Sequence, residues 1–250
     1  MKKLFGFTLA EVLITLGVIG VVAAMTIPTL MKNYRRHLVE TRVKHTYATI
    51  AQVFRQATVD YGEMDGWGWD YDSVSGNVDE KGDNIYNFVS TYMLPYMSGA
   101  TLTKKTSLKD FGYKEGIKSP KGTNKNFDFT PNKSFSFIEM SNGVVIIPTL
   151  STAANGSSKA VMSVSFSFDI DGVSGQNTWG KDVFRLLIIP STGGVELGGE
   201  TLTFYNSTGL PDQKGTRSTT LKYCKTTNPW YCGALIKWDG WKISNDYPWL

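Results

Sequence analysis

The chain has 250 residues, of which 41% are hydrophobic and 13% aromatic, and this composition excludes an intrinsically disordered protein. Its formal net charge is only +4 and no long basic run occurs, which argues against nucleic-acid binding. The length is sufficient for one or two domains with a hydrophobic core.

The N-terminal segment predicts a membrane-spanning helix. Residues 7–27 contain a single charged side chain, that of Glu11. As a helix, this segment extends ~31 Å, which matches the ~30 Å hydrocarbon core of a bilayer. Lys2 and Lys3 place its start on the cytoplasmic side, although residues 32–36 make the distal flank basic too.

Two other interpretations of this segment remain open. A conventional signal peptide has a shorter apolar region and a cleavage site of small residues, and residues 22–24 only weakly resemble such a site. A plain membrane anchor does not explain Glu11, because a carboxylate at the bilayer centre costs about 2.5–3.5 kcal/mol. If the chain is cut between Gly6 and Phe7, the new amine lies four residues before Glu11, on the same helix face. The amine can then pair with the carboxylate, within one chain or between neighbouring subunits.

The same residues resemble the N-terminus of a known family. Lys-Lys-Leu-Phe-Gly followed by Phe-Thr-Leu-Ala-Glu-Val-Leu-Ile-Thr-Leu is similar to the start of type IV prepilins and of type II secretion pseudopilins. The resemblance implies that prepilin peptidase cuts after Gly6, that Phe7 is N-methylated and that Glu11 acts in assembly. Pro28 stands near a position where the family often has a proline, and it is expected to kink the helix. The resemblance covers only about residues 1–30.

Beyond Pro28 the pattern becomes that of an amphipathic helix. Apolar residues recur in steps of four and three from Val43 to Tyr61, which is the spacing of one helix face. We therefore expect one rod from Phe7 to Tyr61, ~80 Å long. The resemblance implies a pilin-like α+β fold, in which the distal half of this helix packs on an antiparallel β-sheet. The expected parts are a leader at 1–6, a transmembrane and assembly helix at 7–30, its amphipathic continuation at 31–61 and an extracytoplasmic globular domain at 62–250.

The globular part predicts mainly β structure. Residues 62–83 are rich in Gly and Asp and indicate a loop, after which Asn84 begins a helix that ends at Met93. The sequence at 141–143, Ser-Asn-Gly, predicts a hairpin turn. In 162–170 apolar and polar residues alternate, which predicts a strand with one buried and one solvent-facing side. The predicted strands are 135–140, 144–150, 162–170, 183–189 and 202–205.

The two cysteines, Cys224 and Cys232, lie close together near the C-terminus. In a cytosolic protein they would be incidental thiols, whereas in an exported protein a lone close pair predicts a disulfide. Pilins often close a C-terminal loop in this way, so the resemblance also implies the bond.

One Gly-rich loop after a strand carries several oxygen ligands. Asp169, Asp171, Asn177 and Asp182 form a set of the kind that can hold Ca²⁺, and they are the candidate metal ligands of this chain. The spacing departs from the EF-hand pattern. An ordinary Asp-Gly turn that joins two strands is the alternative interpretation.

No catalytic pattern appears in the sequence. The two histidines, His37 and His45, fall on the predicted N-terminal helix, and neither a nucleophile elbow nor a phosphate or dinucleotide loop is present. We therefore expect no enzyme activity, no catalytic residue and no cofactor other than calcium.

The expected function is that of a structural subunit, a pseudopilin or pilin, in a type II secretion or type IV pilus-like filament. Its expected partners are other subunits, prepilin peptidase, the inner-membrane assembly platform and membrane lipid. It would cross the bacterial inner membrane once, with its C-terminal domain outside the cytoplasm. The alternative is an anchored binding or adhesion protein that does not polymerise. In that case the binding face would comprise Trp67, Trp69, Trp241 and Trp249.

Overall fold

The computed structural model describes residues 8–67, 78–120, 129–153, 161–189, 194–197, 204–205, 211–212, 216–226 and 229–250. The predicted processing residues Gly6 and Phe7, and also Trp69, lie outside these ranges.

A single long helix, α1, runs from Leu9 to Tyr61 and contains Pro28 in its interior. Thr8 caps its start: the Thr8 backbone N–H donates to the Glu11 carboxylate at 2.8 Å, and the Glu11 N–H donates to the Thr8 hydroxyl at 3.3 Å. This reciprocal pair is a capping box. Gly62 ends the helix at φ 80°, a conformation that favours glycine. The expected continuous rod is therefore confirmed over the described residues.

Among the residues that the structure describes, four shorter α-helices belong to the globular part. They are α2 (Val78–Tyr92), α3 (Leu108–Phe111), α4 (Arg217–Lys225) and α5 (Cys232–Trp238). The helix predicted from Asn84 is thus observed, but it begins six residues earlier. Its later turns bury Ile85, Val89 and Met93. Packing of that face stabilises a helix whose first turns have poor intrinsic propensity.

The sheet is an antiparallel meander of six strands in sequence order. Consecutive strands pair, and each pair is antiparallel. The α+β class is confirmed, and the strands predicted at 135–140, 144–150, 162–170 and 183–189 are observed with small shifts. The strands are β1 (Thr101–Ser107), β2 (Ser134–Glu139), β3 (Val145–Ala153), β4 (Val161–Asp169), β5 (Val183–Ile189) and β6 (Gly194–Leu197), with a separate pair β7 (Phe204–Tyr205) and β8 (Pro211–Asp212).

One face of the sheet packs against the distal half of α1. Val164, Phe166 and Phe168 of β4 share a buried core with Val43 and Phe54 of α1. The rings of Phe54 and Phe166 lie 5.9 Å apart. The periodic stripe that predicted an amphipathic helix is therefore the surface that meets the sheet.

Over residues 164–169 the opposite face of β4 is also buried, which corrects the expectation that it faces solvent. Ser165, Ser167 and Asp169 are at most 2% exposed. The chain folds back over this face and forms a second core around Tyr113 and Trp179. A strand's alternation shows that its two sides differ, but it does not show whether later segments cover the polar side.

Candidate functional site

The N-terminal half of α1 exposes apolar side chains all around its circumference. The large apolar side chains between Leu9 and Met31 are 44% to 81% exposed. Within the described residues, α1 is the one helix long and apolar enough to cross a membrane. A soluble core helix of similar composition would be buried in its own protein, whereas the most apolar stretch of α1 is not buried at all. This half of the helix therefore needs an apolar environment outside the chain.

Two threonine hydroxyls of this half form hydrogen bonds within the helix itself. The hydroxyl of Thr15 donates to the Val12 carbonyl and that of Thr26 to the Val22 carbonyl, each at 2.9 Å. Such bonds remove the cost of an unpaired hydroxyl in an apolar medium.

Glu11 is held at the first turn of the helix by Thr8. One oxygen of its carboxylate accepts from both the backbone N–H and the hydroxyl of Thr8, each at 2.8 Å. Prediction from the sequence missed this partner, although Thr8-x-x-Glu11 is the recognisable pattern of a capping box. Both residues follow the expected cut after Gly6, so the capping box remains in a processed chain.

Two sets of polar contacts fasten α1 at the point where it leaves the globular part. On one side, Arg35 donates to Asp171 Oδ2 at 2.7 Å, and Arg42 donates to the Ile170 carbonyl. On the other side, the Glu40 carboxylate accepts the Ile243 N–H at 2.8 Å. The exposed half therefore lies immediately N-terminal to a segment that is anchored to the globular part.

The structure brings three residues of the predicted calcium set together at this junction. Asp169 and Asp182 are 1% and 0% exposed, the Asp171 N–H donates to Asp169, and the Asp171 carboxylate pairs with Arg35 of the helix. Burial, with the neighbouring carboxylates of Asp182 and Asp171, raises the pKa of Asp169 well above its usual range. Burial likewise raises the pKa of Asp182. These groups favour a nearby cation or a proton.

Calcium does not fit this arrangement well. Asp182 accepts the N–H groups of Thr178 and Gln176 at 2.6 and 2.7 Å, so both of its oxygens are engaged. Oδ2 of Asp171 is taken by Arg35. One oxygen each of Asp169, Asp171 and Asn177 accepts no hydrogen bond. Nevertheless, among the described residues no three acidic, His or Cys side chains converge as a metal site requires. Calcium binding stays a prediction that this geometry disfavours.

The predicted disulfide is present. Cys224 of α4 and Cys232 of α5 are bonded and fully buried. The indole N–H of Trp249 donates to the Cys224 carbonyl at 2.9 Å, so the bond and the C-terminal segment stabilise one local structure. That structure packs against the distal half of α1 through Trp241, whose ring lies 5.2 Å from that of Tyr47.

The three tryptophan residues of the adhesion alternative that the structure describes do not form an exposed face. Trp67 is 3% exposed and stacks on Tyr92 at 4.6 Å, with its indole N–H donated to the Gly62 carbonyl. Trp241 and Trp249 are partly buried in the contacts described above. Of the large apolar side chains that the structure describes beyond α1, Trp238 is among the most exposed, at 48%.

The comparisons with known proteins concern the globular part and the distal helix. Residues 29–250 match the profile of a family of unknown function, DUF6613. The match begins just after Pro28, so the prepilin-like segment lies almost entirely outside it. No curated protein and no solved structure matches the chain. Because the matched range covers well over half of the sequence, the chain belongs to the family of unknown function DUF6613.

Proposed function

We propose that this protein is a pilin-like subunit of a type II secretion or type IV pilus-like filament. It is anchored in the bacterial inner membrane by the exposed half of α1 and assembles through that same half. The observation that carries the proposal is the contrast within one helix. Its distal turns are packed on a sheet, while residues 9–31 expose apolar side chains on every side.

The exposed half occupies two apolar environments in turn, first the bilayer and then a filament core. A monomeric soluble protein rarely exposes an apolar patch of more than ~300–600 Å². A helix of 23 residues that is apolar on all sides far exceeds this limit. The membrane covers the helix before assembly, and the helices of neighbouring subunits cover it afterwards.

The presence of Glu11 favours a role in assembly over a role in simple anchoring. It is the one charged side chain in residues 8–31, and an anchor would function better with Leu or Val at this position. The Thr8 cap satisfies one oxygen of the carboxylate but leaves its charge without a counter-ion among the described residues. The processed Phe7 amine of the same or a neighbouring subunit supplies that charge and fixes the axial stagger.

The other parts of the proposal follow from processing and location. Prepilin peptidase removes residues 1–6 and methylates Phe7, and the inner-membrane assembly platform extracts the subunit from lipid. The globular domain lies outside the cytoplasm, where the Cys224–Cys232 disulfide is stable. The protein acts by assembly and not by catalysis.

Substitution of Glu11 tests this proposal. We expect Glu11→Val to insert into the membrane at least as well as the wild type. Its yield of sheared filaments should fall about tenfold or more, which requires a loss of only ~1.4 kcal/mol per subunit contact. Glu11→Asp should also reduce the yield, because the shorter side chain displaces the carboxylate. Thr15→Val, one turn further on, is the matched control and should assemble normally.

Filament yield is measured beside total membrane protein, and intact mass gives the start of the mature chain. Normal filaments from Glu11→Val would show that charge pairing does not direct assembly. A mature chain that begins at Met1, or near Met25 after a conventional signal cleavage, would contradict processing at Gly6.

A further inference from the structure

The loop between β4 and β5 concentrates negative charge in a buried place. Asp171 and Asp182 belong to it and Asp169 ends β4 directly before it; Asp169 and Asp182 are almost completely shielded from solvent. A buried carboxylate is costly unless a cation or several hydrogen bonds compensate it. The buried carboxylates therefore favour a nearby positive charge or a proton.

That charge comes from α1. The guanidinium of Arg35 lies 2.7 Å from Asp171 Oδ2 and 3.5 Å from Asp182 Oδ2, and thus bridges the two carboxylates. No other cation forms an ion pair with these three acids among the residues that the structure describes. Arg42, two turns further along the helix, donates to the carbonyl of Ile170, the residue that immediately precedes Asp171. Both contacts tie the same loop to the same side of the helix.

The space around the remaining oxygen of Asp171 is filled by the backbone of the loop. A Cβ atom at Gly175 would lie 2.5 Å from Asp171 Oδ1 and 3.1 Å from Asp182 Oδ2. The loop thus folds tightly around its two carboxylates, and the planar guanidinium enters from the helix side. Nη1 of Arg35 donates to Asp171, whereas Nη2 faces Asp182 as an ion pair without a hydrogen bond. A guanidinium suits this role because its planar, delocalised charge can lie between two carboxylates.

We propose that Arg35 takes the place of a metal ion in this loop, so that the loop is neutralised by α1 and folds without calcium. The loop and the helix are therefore one unit: the loop adopts its fold only when the helix is in place. In turn, the loop holds α1 at the level where its exposed half begins. This inference does not depend on filament assembly and holds for an anchored monomer as well.

Thermal unfolding of the full chain in detergent micelles tests the inference. We compare the wild type, Arg35→Met, Arg35→Met/Asp171→Asn and the control Arg36→Met, each with EDTA or with about 5 mM CaCl₂, above the ~0.1–1 mM Kd of weak extracellular sites. Arg36 is a matched control because it neighbours Arg35 but donates to the Leu250 carbonyl instead.

The wild-type Tm should be the same with calcium and with EDTA. Arg35→Met should lower it by about 3–8 °C, since one charge of a partly buried pair is left alone. Asp171→Asn in the same chain should recover part of that loss, because it removes the uncompensated charge. Arg36→Met should cost less than Arg35→Met. Arg35→Lys, which keeps the charge without the planar guanidinium, should fall between the wild type and Arg35→Met.

Any of three results would overturn the inference. The first is a wild-type Tm that rises with calcium or falls with EDTA, since the loop would then need a metal. The second is an Arg35→Met variant that loses no more stability than Arg36→Met. The third is an Arg35→Met variant whose stability does not recover when Asp171→Asn is added. If Arg35→Met does not fold, the same comparison is made with Arg35→Lys and with Arg35→Lys/Asp171→Asn.

Discussion

The two halves of α1 belong to one uninterrupted helix, yet their side chains meet opposite environments. Large apolar residues between Leu9 and Met31 are 44% to 81% exposed, whereas those from Val39 to Phe54 on the sheet-facing side are at most 1% exposed. The backbone is the same in both halves. The pattern of side chains differs, because the first half is apolar all around and the second has one apolar stripe.

This difference shows that the sequence specifies two things separately. One is the helical backbone, which both halves share, and the other is the surface against which each half packs. A stripe about one third of the circumference wide is completed by a single surface, here the sheet. A helix that is apolar all around must be surrounded, which one small sheet cannot do. The first half is exposed and is long and apolar enough to span a membrane, whereas the second half packs against its own domain.

Removal of a core side chain in the distal half of α1 should produce the largest change, a loss in the free energy of unfolding. Phe54 is fully buried and its ring lies near those of Trp67 and Phe166. We expect Phe54→Ala to lower the free energy of unfolding by about 3–5 kcal/mol. The matched change in the exposed half, Leu16→Ala, should leave it unchanged. Denaturant unfolding of the full chain in micelles measures both, and equal losses would contradict the division of the helix.

A charge placed in the exposed half should act on membrane insertion instead. Ile19→Asp should cost about 2.5–3.5 kcal/mol in the bilayer and release a large part of the protein on alkaline extraction of membranes. Ala48→Asp introduces the same side chain on the solvent-facing side of the distal half and should not alter retention. Full retention of Ile19→Asp would mean that residues 9–31 do not lie in lipid.

Loss of the disulfide should have a smaller effect, confined to the distal half and its partners. The bond closes a nine-residue loop, and Cys224→Ala/Cys232→Ala should lower the free energy of unfolding by about 2.5 kcal/mol. Reduction of the wild type should produce a similar loss, and membrane retention should not change. Thiol labelling of the denatured, unreduced protein should find no free cysteine, and two labelled thiols would contradict an extracytoplasmic location.

Local patterns in the sequence predicted much of the fold because each reports on neighbouring residues. The 3.6-residue period placed α1, the two-residue period placed β4, and Ser141-Asn142-Gly143 placed the hairpin between β2 and β3. The same patterns gave a wrong expectation where contact with a distant segment determines whether a side chain is buried. The polar side of β4 is covered by the chain around Tyr113, and nothing in β4 itself indicates this.

The contacts of the candidate site likewise divide into local ones, which the sequence indicates, and long-range ones, which it does not. Glu11 and its Thr8 cap are three residues apart, so their contact was readable from the sequence even though it was overlooked. Asp169, Asp171 and Asp182 were recognised as a group because they lie within one short stretch of the chain. Their counter-ion was not, because Arg35 is 136 residues away from Asp171 along the chain.

Short stretches of the sequence predicted a long helix with an all-apolar first half and a striped second half, several β-strands and a pair of cysteines within bonding reach. Side-chain spacing and local backbone preference set these properties. The burial of both faces of β4 over residues 164–169, and the position of Arg35 beside the predicted metal ligands, became apparent from the fold. Both depend on contacts between segments far apart in the chain, whose meeting is governed by the packing of the whole domain.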